Sequence, residues 1–99
     1  MDLAFAKPHL HSGALSIALL DAANRTLCSM SRADGGLVYG TGREAGNERG
    51  YLVGMRVCSW DRASAPRLRR GESLRVRAVY DASHYRVGVM AQFALMAFV

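Results

Sequence analysis

Two histidines stand two residues apart, at His9 and His11. On an extended strand side chains alternate between faces, so an i, i+2 pair points the same way a few ångströms apart. Two imidazoles so placed can share one metal ion. The plain alternative is a pair of exposed histidines near a strand start, with nothing bound. Other candidate chemistry is thinner. Glu44 and Glu48 could act as paired carboxylates in proton transfer. They lie in a glycine-rich loop, however, where no helix face fixes their separation. Asp81 and His84 form a short-range polar pair in a turn. No Ser-His-Asp arrangement has supporting context, and no Gly-Lys-Ser/Thr follows the glycine-rich loop to make it a phosphate cradle.

Cys28 and Cys58 are the chain's two cysteines. They lack the CxxC spacing of a zinc site. They permit one bridge, or they remain two buried thiols. The pair flanks the glycine-rich segment, so a bridge would hold a long irregular stretch onto the sheet. Such a closure would add about 3–4 kcal/mol by constraining the unfolded chain. A bridge is the expectation in an oxidising compartment.

The charge balance is basic, +5 overall, and Lys7 is the only lysine. Arginines are scattered, with one cluster at Arg67, Arg69 and Arg70 beside the turn signal Gly71. That cluster has no interleaved aromatics. It reads as a solvated loop, and no nucleic-acid partner is expected. No run of eighteen apolar residues occurs, so no membrane-spanning helix is expected. Residues 1–6 are too short and too acidic to serve as a signal peptide.

These residues must be positioned by strands. At 99 residues, 51% hydrophobic, the chain suits one small β-domain spanning 1–99. Residues 9–19 read as one strand, apolar on both faces. His9, His11, Gly13, Leu15, Ile17 and Leu19 share one side of it. Helix is the alternative over 14–23, given its alanines and leucines. Strand is preferred because Asp21-Ala22-Ala23-Asn24 reads as a hairpin turn into 25–31. Residues 33–50 hold six of the ten glycines and read as a long structured loop, opened by the turn Asp34-Gly35-Gly36. Within it, Gly46 and Gly50 suit positive φ or close backbone approach. Asn47 and Glu48 suit bonds to the loop's own backbone. The loop is therefore expected to be scaffold. Residues 51–58 return to strand, 61–66 form a loop and 70–73 a turn. Leu74, Val76, Ala78 and Tyr80 alternate with Arg75, Arg77 and Val79 in a half-exposed strand. Residues 87–99, apolar on both faces, read as a central buried strand.

The stretch Tyr39-Gly40-Thr41-Gly42-Arg43-Glu44-Ala45-Gly46-Asn47-Glu48-Arg49-Gly50-Tyr51-Leu52-Val53-Gly54-Met55 resembles the signature of the stress up-regulated Nod (nodulin-like) family. The surroundings agree: His9-Leu10-His11-Ser12-Gly13 upstream, Cys28 and Cys58 on either side, and Gly88-Val89-Met90 leading into an apolar terminal segment. The resemblance covers about residues 7–98. It implies a protein of the secretory pathway.

A more distant resemblance is to the C-terminal domain of copper type II, ascorbate-dependent monooxygenases. That domain has a His-x-His strand and a late methionine opening an apolar strand, here Met90-Ala91-Gln92-Phe93-Ala94-Leu95-Met96. It implies an antiparallel, jelly-roll-like β-sandwich, whole or truncated, with copper held by His9, His11 and Met90. A thioether is a soft ligand that selects copper, above all Cu(I). Met55 and Met96 are expected in the core. Such monooxygenases need a second copper domain, which 99 residues cannot contain. The resemblance therefore favours a binding module over an enzyme, with a partner protein or a missing N-terminal domain as the complement. The competing expectation is a metal-free structural or interaction domain. His84 stands six residues before Met90, whereas the family places a histidine just ahead of Gly-Val-Met.

Overall fold

β1 (Leu3–Leu10) buries Ala6, Pro8 and Leu10 by simple alternation, and Leu3 as well, which alternation alone would turn outward. The computed structural model, which describes residues 1–41, 43, 52–83 and 90–99, gives the reason. Leu3 pairs with Ala97 but Phe5 pairs with Met96, so two steps of β1 match one step of the partner strand. This β-bulge resets the phase and returns Leu3 to the core. β2 (Ala14–Leu20) uses the same device. Ala14 opposes Tyr80 and Ser16 opposes Val79, and the extra residue lets both Ala14 and Ile17 face inward.

Among the described residues the remaining strands are β3 (Thr26–Ser31), β4 (Leu37–Tyr39), β5 (Leu52–Met55), β6 (Cys58–Ser59), β7 (Arg75–Tyr80) and β8 (Ala91–Ala97). They form a sheet of order β6-β1-β8, a second of order β3-β2-β7, and a separate β4-β5 hairpin. Every pairing is antiparallel. The core joins Leu3, Ala6 and Leu10 of one sheet to Ile17, Leu19 and Met30 of the other. The fold is thus all-β and sandwich-like. No strand of residues 14–23 is replaced by helix.

Several expectations need correction. Residues 51–58 are not one strand, because β5 ends at Met55 beside β4 and β6 begins at Cys58 beside β1. Residues 9–19 are not one strand. The chain turns at Ser12-Gly13, where Gly13 has φ 92°, and crosses from β1 in one sheet to β2 in the other. His9 and His11 therefore do not share a face with Ile17 and Leu19. Residues 33–50 are not loop throughout, because β4 lies among them. Its entry is tight: a Cβ on Gly36 would come within 2.6 Å of the Met30 Cβ. Finally, β8 is not central. Among the described residues it pairs with β1 alone, and Leu95 and Met96 are 40% and 63% exposed. Apolar composition cannot distinguish a covered face from an open one. Met96, expected in the core, is on the open side, while Met55 packs against the core.

The two sheets are joined covalently. Cys28 of β3 and Cys58 of β6 form a disulfide with Cα atoms 6.0 Å apart.

Candidate metal centre

β1 delivers the histidine pair. With Pro8 and Leu10 directed into the core, Lys7 and His9 fall on the outer side and are exposed. His11 lies one residue beyond the strand. The chain can turn there because Gly13 accepts a left-handed backbone. The Ala14 N–H then donates to the His11 carbonyl at 3.3 Å. The turn is braced from β7, since the Asp81 N–H donates to the Gly13 carbonyl at 2.8 Å.

The result is close approach of two rings. His9 Nε2 and His11 Nε2 lie 3.3 Å apart. Their centroids are 5.2 Å apart and their planes stand at 78°. At that distance one ring can donate an N–H to the other. The same two nitrogens can instead direct their lone pairs at one ion.

Met90 reaches this corner from β8. Leu10 opposes Ala91 and His9 opposes Gln92, so the residue before Ala91 comes level with His11. Met90 is 40% exposed. One side chain ties the two segments together. The Tyr80 hydroxyl accepts the His11 N–H at 3.1 Å. It donates to the Met90 carbonyl and also receives the Met90 N–H at 3.4 Å. A phenol has one proton to give and two lone pairs to offer, so this hydroxyl is fully used. Tyr80 sits on β7, in the opposite sheet, with its ring packed against the core. The sequence shows Tyr80 alternating with the arginines of a half-exposed strand but gives it no role. The available signal was its polar tip: a tyrosine facing inward needs a partner for its hydroxyl.

Asp21, Asp34 and Asp61 are occupied elsewhere. Asp21 accepts from the Arg25 N–H, the Ala23 N–H and Arg25 Nε, each at 2.8–2.9 Å. The Arg25 backbone bond leads in holding its carboxyl below the usual carboxylate range. Asp34 is lowered chiefly by the Ser31 and Gly36 backbone N–H groups, with Arg56 adding to them. Asp61 is lowered by Ser64. These carboxylates shape turns. Among the described residues no three His, Cys, Asp or Glu side chains gather as a metal cluster. Both cysteines are bridged, so neither offers a thiolate. Gly46, Asn47, Glu48 and Gly50, expected as scaffold, lie outside the described residues, as do Glu44 and His84.

A family model described as Stress up-regulated Nod 19 matches residues 1–98. The match includes the first half of β1, which the sequence motifs starting near residue 7 had left out. No curated protein and no solved structure matches the chain.

Proposed function

The chain belongs to the stress up-regulated Nod 19 family, and we propose that it acts as a copper-binding β-domain, with His9 and His11 as the nitrogen ligands and Met90 as a softer third. The observation that carries this reading is the 3.3 Å approach of the two Nε2 atoms. A metal bound to both at about 2.0–2.1 Å would see them at an angle of roughly 104–111°, close to tetrahedral. That the Tyr80 hydroxyl bonds the backbones of both His11 and Met90 supports Met90 as the third ligand. A nitrogen pair with a thioether suits Cu(I) over zinc or magnesium, because the thioether is a soft, neutral ligand. The order His-x-His followed by a late methionine, as in the copper monooxygenase domain, supports the same metal. The disulfide is in keeping with an oxidising, secretory compartment.

Copper when bound would supply a redox-capable, Lewis-acidic centre. This chain's residues would hold it at the surface: β1 sets the histidine spacing, and Tyr80 holds the His11 and Met90 backbones in place. The second reading is a metal-free interaction domain, in which the same imidazoles make one N–H···N hydrogen bond. Competitive titration with a chromogenic Cu(I) chelator separates the two. The expected result is one copper per chain, abolished in His9→Ala/His11→Ala and weakened roughly tenfold in Met90→Leu. A parent protein that takes up no copper, or that prefers zinc, would overturn the copper reading.

A further inference from the structure

Five of the chain's twelve arginines fall between residues 67 and 77, with Glu72 the one acid among them. The fold gathers this segment around the β2–β3 turn, with Arg75 opposite Leu20. On one side of the turn Arg25, Arg67 and Arg69 line an open groove of about 670 Å³, with the carboxylates of Asp21 and Glu72 also in its lining. On the other side Arg75 and Arg77 line a second depression of about 550 Å³, with Leu20 and Asn24.

The arginines are differently held. Arg25 and Arg67 each pass Nε to an aspartate, Asp21 at 2.8 Å and Asp2 at 3.1 Å. Each of these pairs engages one of five guanidinium donors. The side chains stay 80% and 78% exposed, so the aspartates orient the forks without covering them. Arg75 and Arg77 stand two apart on β7, hence on one face and roughly 7 Å apart. Their cross-strand neighbours are Leu20 and Ala18, neither of them acidic. Asp34, the acid bordering the far end of that face, is engaged by Arg56 at 3.1 Å.

We propose that this arginine-lined end binds an acidic polysaccharide. Guanidinium forks match the carboxylate or sulfate groups that a linear acidic chain presents. Neither depression is lined by an aromatic residue. Single-stranded nucleic acid is held by stacking its bases on such residues, so the lining favours a ligand recognised by its charges and hydroxyls. The disulfide points the same way, because acidic polysaccharides are the polyanions of oxidising, extracellular compartments. This inference is independent of copper.

The test is affinity electrophoresis of the chelator-treated protein through gels containing polygalacturonate, a sulfated polysaccharide, neutral amylose or single-stranded DNA, at low and raised salt. Retardation is expected by the polyuronate or the sulfated polymer, not by amylose, and salt should weaken it. Whichever acidic polymer binds more tightly identifies the recognised group. The variant Arg69→Gln/Arg75→Gln/Arg77→Gln should weaken binding roughly tenfold or more. Arg62→Gln, whose guanidinium lies over the Phe98 ring, should bind like the parent. Circular dichroism confirms that each variant is folded. The proposal is overturned if neither acidic polymer retards the protein, if DNA does so as strongly, or if the triple variant binds unchanged.

Discussion

The two turns that leave the sandwich's central strands are built on opposite plans. At the Asp21–Arg25 turn, one carboxylate receives two backbone N–H groups and a guanidinium. Asn24 takes φ 64°, and the turn closes on itself with its polar atoms consumed by its own backbone. At the His9–Gly13 turn, one backbone bond closes the turn and the others come from outside, from Tyr80 of β7 and from Asp81 just beyond it. The imidazoles are left facing each other at the surface. A self-satisfied turn is structure only. In a turn braced from a neighbouring sheet, the cost of holding its side chains is carried by another element.

That contrast can be broken or sharpened by substitution. The largest loss of stability should come from neither turn but from the tie between the sheets. Replacing both cysteines, Cys28→Ala/Cys58→Ala, should cost about 3–4 kcal/mol, read as a drop in the urea midpoint. Next comes the brace. Tyr80→Phe removes a hydroxyl with three partners and should cost about 1–2 kcal/mol. It should also weaken copper binding, because the His11 and Met90 backbones lose their common anchor. If Tyr80→Phe lowers stability but leaves Cu(I) affinity unchanged, the brace does not position the site.

Asp21 should report through pH. Its carboxyl titrates below the ordinary range in the folded chain. Its contribution is therefore fully present above the unfolded value of about 3.9 and is lost as pH falls through the lower folded value. Urea midpoints taken from about pH 5 to pH 2 should fall less steeply in Asp21→Asn than in the parent. Equal slopes would show that the turn does not depend on the ionised carboxylate. The smallest effect on stability belongs to the pair with the largest effect on binding. His9→Ala/His11→Ala should change stability by no more than about 0.5 kcal/mol while abolishing copper uptake. A large stability loss there would make the imidazoles structural and erase the contrast between the turns.

Much of this was legible beforehand, and the failures have causes. The Asp21-Ala22-Ala23-Asn24 turn, the Asp34-Gly35-Gly36 turn and the alternation of Leu74 to Tyr80 were readable, because each depends on local chemistry. The bridge between Cys28 and Cys58 was readable because only one pairing exists. The strand assigned to residues 9–19 failed at Gly13, where a residue without a side chain leaves no interruption in an apolar pattern. Residues 3–8 were given no element, and the bulge between Leu3 and Phe5 breaks the alternation that would have marked them as strand. β8 was taken for a central strand because its composition says nothing about which strands lie beside it. For the site, the His-x-His spacing was visible. The hydroxyl that joins it to Met90 comes from a residue 69 positions away from His11, and nothing in its local sequence announces that partnership.

A chain with two cysteines has a single way to oxidise internally. Cys28 and Cys58 cannot be scrambled into a wrong intramolecular isomer, so no disulfide isomerase is needed to correct one. The competing product is a covalent dimer, which forms between molecules and so depends on concentration. Oxidative refolding at high dilution should therefore yield the monomer with its sheets joined, whereas crowded refolding should yield cross-linked pairs that a non-reducing gel resolves by size.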